Sequence, residues 1–215
     1  MRDDFHQQLD TLRDDLARMC TLAGTALRHA TAALLDGDQE AAGLVFDDVE
    51  RLRLLQGTVE RRTVVILARQ APVAGDLRTV VSAIRIAADA DRMGGLAALV
   101  ARMAVARHPG RVLPDDLIDT FGRMADMAIE SADRCVDAVR TGHLDLAGDI
   151  RERDDAVEEM HADLHRRVVG ASWPHGCAVA SDVVLLGRFY GRFADHAAEI
   201  ARRVRFQAAG VTAGI

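Results

Sequence analysis

Apolar residues recur along this chain at alternating steps of three and four, the spacing that gathers them on one face of an α-helix. Leu9, Leu12, Leu16, Met19, Ala23, Ala26, Leu27, Ala30 and Leu34 describe a first helix over about residues 3–35. Asp36-Gly37-Asp38 interrupts it. Gly37 suits the left-handed position that closes a helix, and Asp38 offers a side-chain cap to the next one. Leu44, Val45, Val49, Leu52, Leu55 and Val59 predict a second helix to about Ala68, ended by Ala71-Pro72, since proline lacks the N–H to continue. A third begins near Val73 and carries Leu77, Val80, Val81, Ile84, Ala87, Ala88, Met93, Leu96, Val100 and Met103.

His108-Pro109-Gly110-Arg111-Val112-Leu113-Pro114 is the clearest connector. Beyond it, Asp115 or Asp116 is placed to cap a fourth helix through Leu117, Phe121, Met124, Met127, Ala128, Cys135, Val136 and Val139. Thr141-Gly142-His143 ends that helix, and a fifth spans about Leu144 to Val169. The segment 170–176, with Trp173-Pro174, separates it from a sixth over about Ala178 to Ala208.

The halves align with each other. Arg18-Met19 matches Arg123-Met124, Ala42-Gly43-Leu44-Val45 matches Ala147-Gly148-Asp149-Ile150, and residues 91–98 match 191–198. A period of about 100–105 residues is a duplicated domain, too long for a solenoid unit. Three amphipathic helices joined by short turns form an antiparallel bundle, because each apolar stripe needs the other two. The expected architecture is therefore all-α: two tandem three-helix bundles, six long helices related by internal duplication. The first repeat covers 1–108, the linker 109–114 and the second repeat 115–215.

Composition sharpens this. Apolar residues make up 49% of the chain but aromatics only 4%, so the core must be built from Ala, Val, Leu and Ile. Such residues favour long, closely approaching helices. The net charge of −6 argues against nucleic acid as a partner. No apolar run approaches the ~18 residues of a membrane-spanning helix, and the N-terminus lacks the order of a signal peptide. A cytoplasmic protein is expected. Cys20, Cys135 and Cys177 form no CxxC pair, and the first two fall in apolar stripes, as small buried hydrophobes would. Trp173 is expected to anchor its loop on the end of the bundle.

Catalytic patterns are missing from the sequence. There is no phosphate-cradling G-x-x-x-x-G-K-[ST], no G-x-G-x-x-G and no G-x-S-x-G. Every basic residue is Arg, which excludes Lys-dependent phosphate and Schiff-base chemistry. Glu158 and His161 form a single E-x-x-H, whereas a di-iron carboxylate bundle needs two. The chain is expected not to be an enzyme.

One string is specific. Gln70-Ala71-Pro72-Val73-Ala74-Gly75-Asp76-Leu77-Arg78 resembles the Q-P-x-A-x-D-L-R turn that opens the third helix in PhoU proteins. Asp91-Arg92-Met93-Gly94-Gly95-Leu96-Ala97 and Gly191-Arg192-Phe193-Ala194-Asp195-His196-Ala197 resemble that family's E-R-I-G-D-x-A signature. The likeness spans about Met1 to Ala209, in an actinobacterial-like form. Within the turn, Asp76 suits the positive end of the helix dipole and Arg78 is placed to pair with a nearby acid.

The resemblance implies carboxylates at i and i+4 on the third helix of each repeat, joined by acids from the second helix, a set that suits divalent or ferric cations. This chain departs from it twice. In the first repeat Asp91 is present but Gly95 replaces the trailing acid, with Asp47, Asp48 and Glu50 nearby, and that bundle is expected to have lost its site. In the second, Gly191 replaces the leading acid while Asp195 is kept. A mixed site from Asp154, Glu158 and Asp195, with His161 as a fourth ligand, is the candidate metal centre. A hydrated polar stripe is its alternative. The remaining histidines His6, His29, His108 and His143 receive no role.

As to function, the resemblance implies a negative regulator of phosphate uptake and of the phosphate-starvation response. It would act as an adaptor between the ATPase subunit of a phosphate ABC transporter and a sensor histidine kinase, meeting the membrane only through those partners. Arg85, Arg92, Arg188 and Arg192 on the third and sixth helices are the candidate contact residues. The family's dimers, and alanine-rich faces able to pack closely, make a homodimer a further expectation. The other readings are a metal-binding helical protein and a purely structural helical oligomer.

Overall fold

The computed structural model describes residues 2–143 and 145–209. Met1, Leu144 (the expected first residue of the fifth helix) and the end of the second repeat at 210–215 lie outside the described residues. The described residues form six long helices and no strand: α1 Arg2–Asp36, α2 Gln39–Gln70, α3 Ala74–Arg107, α4 Ile118–Thr141, α5 Asp145–Val169 and α6 Gly176–Ala209.

The first stripe behaves as its spacing requires, with every position from Leu9 to Leu34 at 3% exposure or less. Gly37 closes α1 at φ 74, and Asp38 caps α2 by accepting from the Ala41 N–H at 3.0 Å. Such a cap contributes about 1 kcal/mol. At the proline corner, Ala71 and Ala74 take left-handed conformations, with φ 42 and 48. Each costs a non-glycine residue on the order of 1 kcal/mol, so the packing of α2 on α3 must hold the corner.

Other sequence expectations need correction. Leu44, Leu77, Val81 and Ile84 were placed in stripes but stand 40–42% exposed. In α3 the core is carried by Val80, Ala83, Ile86, Ala90 and Met93, and the apolar pattern runs on past the packed sides onto an open one. No side chain caps α4. Asp115–Leu117 form a single 3-10 turn, and α4 starts from an uncapped Leu117. Asp116 is instead drawn to the end of α5 and the loop before α6, where it lies 3.4 Å from Arg167 and 2.9 Å from His175. Arg78 makes no ion pair among the described residues; its guanidinium lies over Gly75 and its Nε is buried without a hydrogen-bond partner.

The repeats pack along their length. Arg107 near the end of α3 pairs with Asp182 near the start of α6, while Asp89 in mid-α3 meets His196 in mid-α6 at 3.0 Å. These pairings make α3 and α6 antiparallel. On α1 and α4, Gly24 faces Ala132, and Arg28 pairs with Asp133, its matching position in the second repeat. A two-fold operation between the repeats produces this arrangement. α1, α3, α6 and α4 thus form a central four-helix layer, α2 packs only on α1 and α3, and α5 only on α4 and α6.

One apolar core runs through both repeats. At its centre Phe121, Tyr190 and Phe193 are fully buried, and the Tyr190 hydroxyl meets the Thr31 hydroxyl at 2.9 Å. Burial pushes the phenol pKa far up. Cys20 and Cys135 are buried free thiols, the former raised to about 12 by desolvation, and Cys135 donates to the Ala197 carbonyl at 3.4 Å. Trp173 packs against the core and donates its indole N–H to the Gly176 carbonyl at 3.0 Å.

Candidate functional site

α5 carries Asp154, Glu158 and His161 one turn apart, and α6 brings Asp195 to the same side. The four residues expected to form a centre are therefore neighbours. Asp154 is half-buried, and its pKa rises from 3.8 to about 6. Desolvation is the first cause, followed by the charges of Asp195, Asp155 and Glu158, with Arg202 opposing. His161 shifts down, first by desolvation and then by Arg188 and His165. Its ring lies directly over α6, because position 187 is glycine: a Cβ there would come within 2.9 Å of His161 Cδ2.

The assembly is not a ligand cage. Among the described residues no three His, Cys, Asp or Glu side chains stand close enough to hold an ion, and Glu158 and Asp195 are exposed. The residues as arranged do not fit the divalent or ferric cation that the resemblance implied. What they make is a set of mutually repelling carboxylates, one of which, Asp154, holds its proton up to about pH 6. Gly191, where the leading acid is missing, faces open space.

In the first repeat the acids are differently engaged. Asp48 is buried, lies 2.9 Å from His29 Nδ1 and 3.7 Å from Arg51. Asp47 and Glu50 point to solvent, and Gly95 faces open space as Gly191 does. Gly94 is the packed glycine of that motif, its missing Cβ leaving 3.2 Å to Leu52 Cδ1 on α2.

The four arginines expected to contact partners are exposed on α3 and α6. α3 is enclosed by α1, α2 and α6, and α6 by α3, α4 and α5, which leaves one open side on each helix. Arg85 and Arg92 occupy that side of α3, Arg188 and Arg192 that of α6, all exposed. None makes an ion pair among the described residues. Leu77, Val81 and Ile84, before Arg85 on α3, and Leu185, before Arg188 on α6, are exposed as well.

Sequence reasoning missed three features. His29, given no role, is the partner of a buried carboxylate, and His196 ties the repeats together through Asp89. A groove between α1, α2 and the end of α4 collects Arg18, Arg51 and Arg140. None has a local signature; each depends on helix register across a turn or between repeats.

Two tandem three-helix repeats sharing one core, with no helix long and apolar enough to cross a membrane among the described residues, define a duplicated helical-bundle protein. The PhoU domain family model matches residues 16–104 and 121–204. The chain belongs to the PhoU domain family. It is 47% identical, over 98% of its length and 99% of the relative's, to the "phosphate-specific transport system accessory protein PhoU homolog 2" of Mycobacterium tuberculosis. The crystal structure of PhoU from Pseudomonas aeruginosa superposes with a TM-score of 0.89 at 25% identity, covering 96% of this chain and all of that one. The PhoU regulatory protein of Streptococcus pneumoniae, at 20% identity, shares the fold, with a TM-score of 0.85 over 98% of this chain and all of that one.

Proposed function

We propose that this chain is a cytoplasmic negative regulator of phosphate uptake and of the phosphate-starvation response, acting by binding and not by catalysis. It serves as an adaptor between the ATPase subunit of a phosphate ABC transporter and a sensor histidine kinase, and reaches the membrane through those partners alone. The observation that carries the reading is the α3/α6 face. Four exposed arginines without ion-pair partners among the described residues share two antiparallel helices with exposed aliphatic side chains. Arginine beside apolar surface is the composition of interface anchors, and unpaired guanidiniums favour an acidic partner surface. Family membership and the naming of relatives as transport-system accessory proteins support the same reading.

A bound partner shifts the kinase equilibrium only by its differential affinity for the two kinase states. The α3/α6 face would hold the kinase in its inactive or phosphatase state while phosphate is plentiful. The alanine-rich surfaces that favoured a homodimer are consumed internally, since Ala83, Ala87, Ala90, Ala97 and Ala101 are all buried. Any self-association must use another surface.

The test is affinity capture from cells after crosslinking, with wild type and a variant carrying Arg85→Glu, Arg92→Glu, Arg188→Glu and Arg192→Glu. Wild type should recover the transporter ATPase and a histidine kinase, and the variant should lose at least one of them. Equal recovery by both would remove the arginine face from the account; recovery of neither partner by wild type would remove the adaptor reading.

A further inference from the structure

A second cationic surface lies away from the α3/α6 face. α1 supplies Arg18, Thr21 and Leu22, α2 supplies Arg51 and two leucines, and the last turn of α4 adds Arg140. Together they line an open groove of about 620 Å³, within the ~300–1,000 Å³ range of small-molecule sites. No acidic side chain lines it. Arg18 and Arg51 are about two-thirds exposed, and their nearest acids, Asp15 and Asp48, lie 3.7 Å away. Each acid has a closer partner, Arg62 at 3.0 Å and His29 at 2.9 Å. Arg140 is exposed and makes no ion pair among the described residues. Three guanidiniums are therefore free to turn onto one anion, bidentately where it is a phosphate.

The rest of the lining narrows the ligand. Leu54 and Leu55 form an apolar shelf, and Leu54 is 65% exposed, too wet for a core position. The hydroxyls of Thr21 and Thr58 donate to the carbonyls one turn back, Ala17 and Leu54, at 3.1 Å each. Their remaining lone pairs suit ligand O–H or N–H groups and not phosphate oxygens.

The duplication provides an internal comparison. At an offset of 105, Arg18, Leu54, Leu55 and Thr58 correspond to Arg123, Glu159, Met160 and Asp163, which line the matching groove of about 270 Å³ in the second repeat. Two acids there oppose the arginines, and Asp163 pairs with Arg166 at 3.1 Å. Arg140 corresponds to Leu35. The uncompensated positive charge belongs to the first groove and is not a property of the repeat.

We propose that the groove between α1, α2 and the end of α4 binds a small molecule bearing a diphosphate beside a hydroxylated ring moiety, the chemistry of a nucleoside diphosphate. The guanidiniums of Arg18, Arg51 and Arg140 hold the phosphates, the leucines cover the ring, and the threonine oxygens accept from its hydroxyls. Three helices meet in the groove, so an occupied site clamps the end of α4 to the first repeat. This site goes beyond the adaptor reading and stands independently of it.

The test is isothermal titration calorimetry on the full chain at fixed ionic strength, with ADP, inorganic pyrophosphate and inorganic phosphate as probes. ADP should bind saturably at one per chain, more tightly than pyrophosphate. Arg51→Gln and Arg140→Gln should each weaken it at least ten-fold with unchanged helicity by circular dichroism, while Arg123→Gln in the matching groove leaves it as it was. Absence of ADP binding to millimolar concentration would overturn the proposal. So would equal affinity for ADP and pyrophosphate, or equal losses in Arg123→Gln and Arg140→Gln.

Discussion

Replacing Asp154 by Asn tests the electrostatics of the α5/α6 cluster. Burial and the charges of Asp195, Asp155 and Glu158 lift this carboxyl from 3.8 to about 6. In the unfolded chain it loses its proton near 3.8, so between those values the native state binds more protons. The group's contribution is most favourable below pH 3.8 and is lost as pH rises to about 6. A shift of about two units at ~1.4 kcal/mol each gives roughly 3 kcal/mol for a secluded group, which partial exposure and screening reduce to about 1–2 kcal/mol. Asparagine keeps the shape and removes the charge. Above pH 6.5 Asp154→Asn should therefore stabilise the protein by about 1–2 kcal/mol, which raises the melting temperature by about 2–8 °C. At pH 4 the two proteins should melt together. Thermal melts followed by circular dichroism from pH 4 to 8 measure the difference. A destabilised variant at pH 7.5, or an offset that does not change with pH, would refute the reasoning.

Three further outcomes follow from single contacts. Thr31→Val leaves the fully buried Tyr190 hydroxyl without its partner, and urea denaturation should show a loss of about 1–2 kcal/mol. Gly187→Ala would gain up to ~1 kcal/mol of helix propensity, but a Cβ there meets the His161 ring at 2.9 Å. The gain should appear in full only on a His161→Ala background; equal gains on both backgrounds would show the contact to be irrelevant. Protein purified without chelator should carry less than one equivalent of iron, zinc or manganese by mass spectrometry. Gly191→Glu, which places an acid in open space one turn from Asp195, should raise that content. A full equivalent in the wild type would show that the side chains close into a cage on binding.

The helices were legible because their stripes are regular and their stops are chemically explicit. Gly37, Asp38 and Pro72 act within a few residues of themselves, so local rules suffice. Periodicity failed where a helix has more than one buried side. α3 packs on three neighbours through alanines, and its spacing could not separate Ile86, which is buried, from Ile84, which is not. The missing cap of α4 had the same root: Asp116 is a local cap candidate, but the distant end of α5 and the loop after it offer Arg167 and His175. For the α5/α6 cluster, spacing along one helix and the repeat alignment pointed to Asp154, Glu158, His161 and Asp195, whose charges act on one another. Spacing carries no distance between helices, so it could not tell a neighbourhood from a coordination sphere. The cationic groove was illegible because Arg18, Arg51 and Arg140 come from three helices and two repeats.

The central claim is that this chain holds the phosphate-starvation programme off by binding its partners. The most direct measurement is the transcript level of the phosphate-uptake genes, in high phosphate, in a strain lacking the chain. The strain is then complemented with wild type or with the variant carrying Glu at 85, 92, 188 and 192. The account predicts derepression in the deletion strain, repression restored by wild type, and failure of the folded variant to restore it. Uptake genes that stay repressed in the deletion strain would contradict the account.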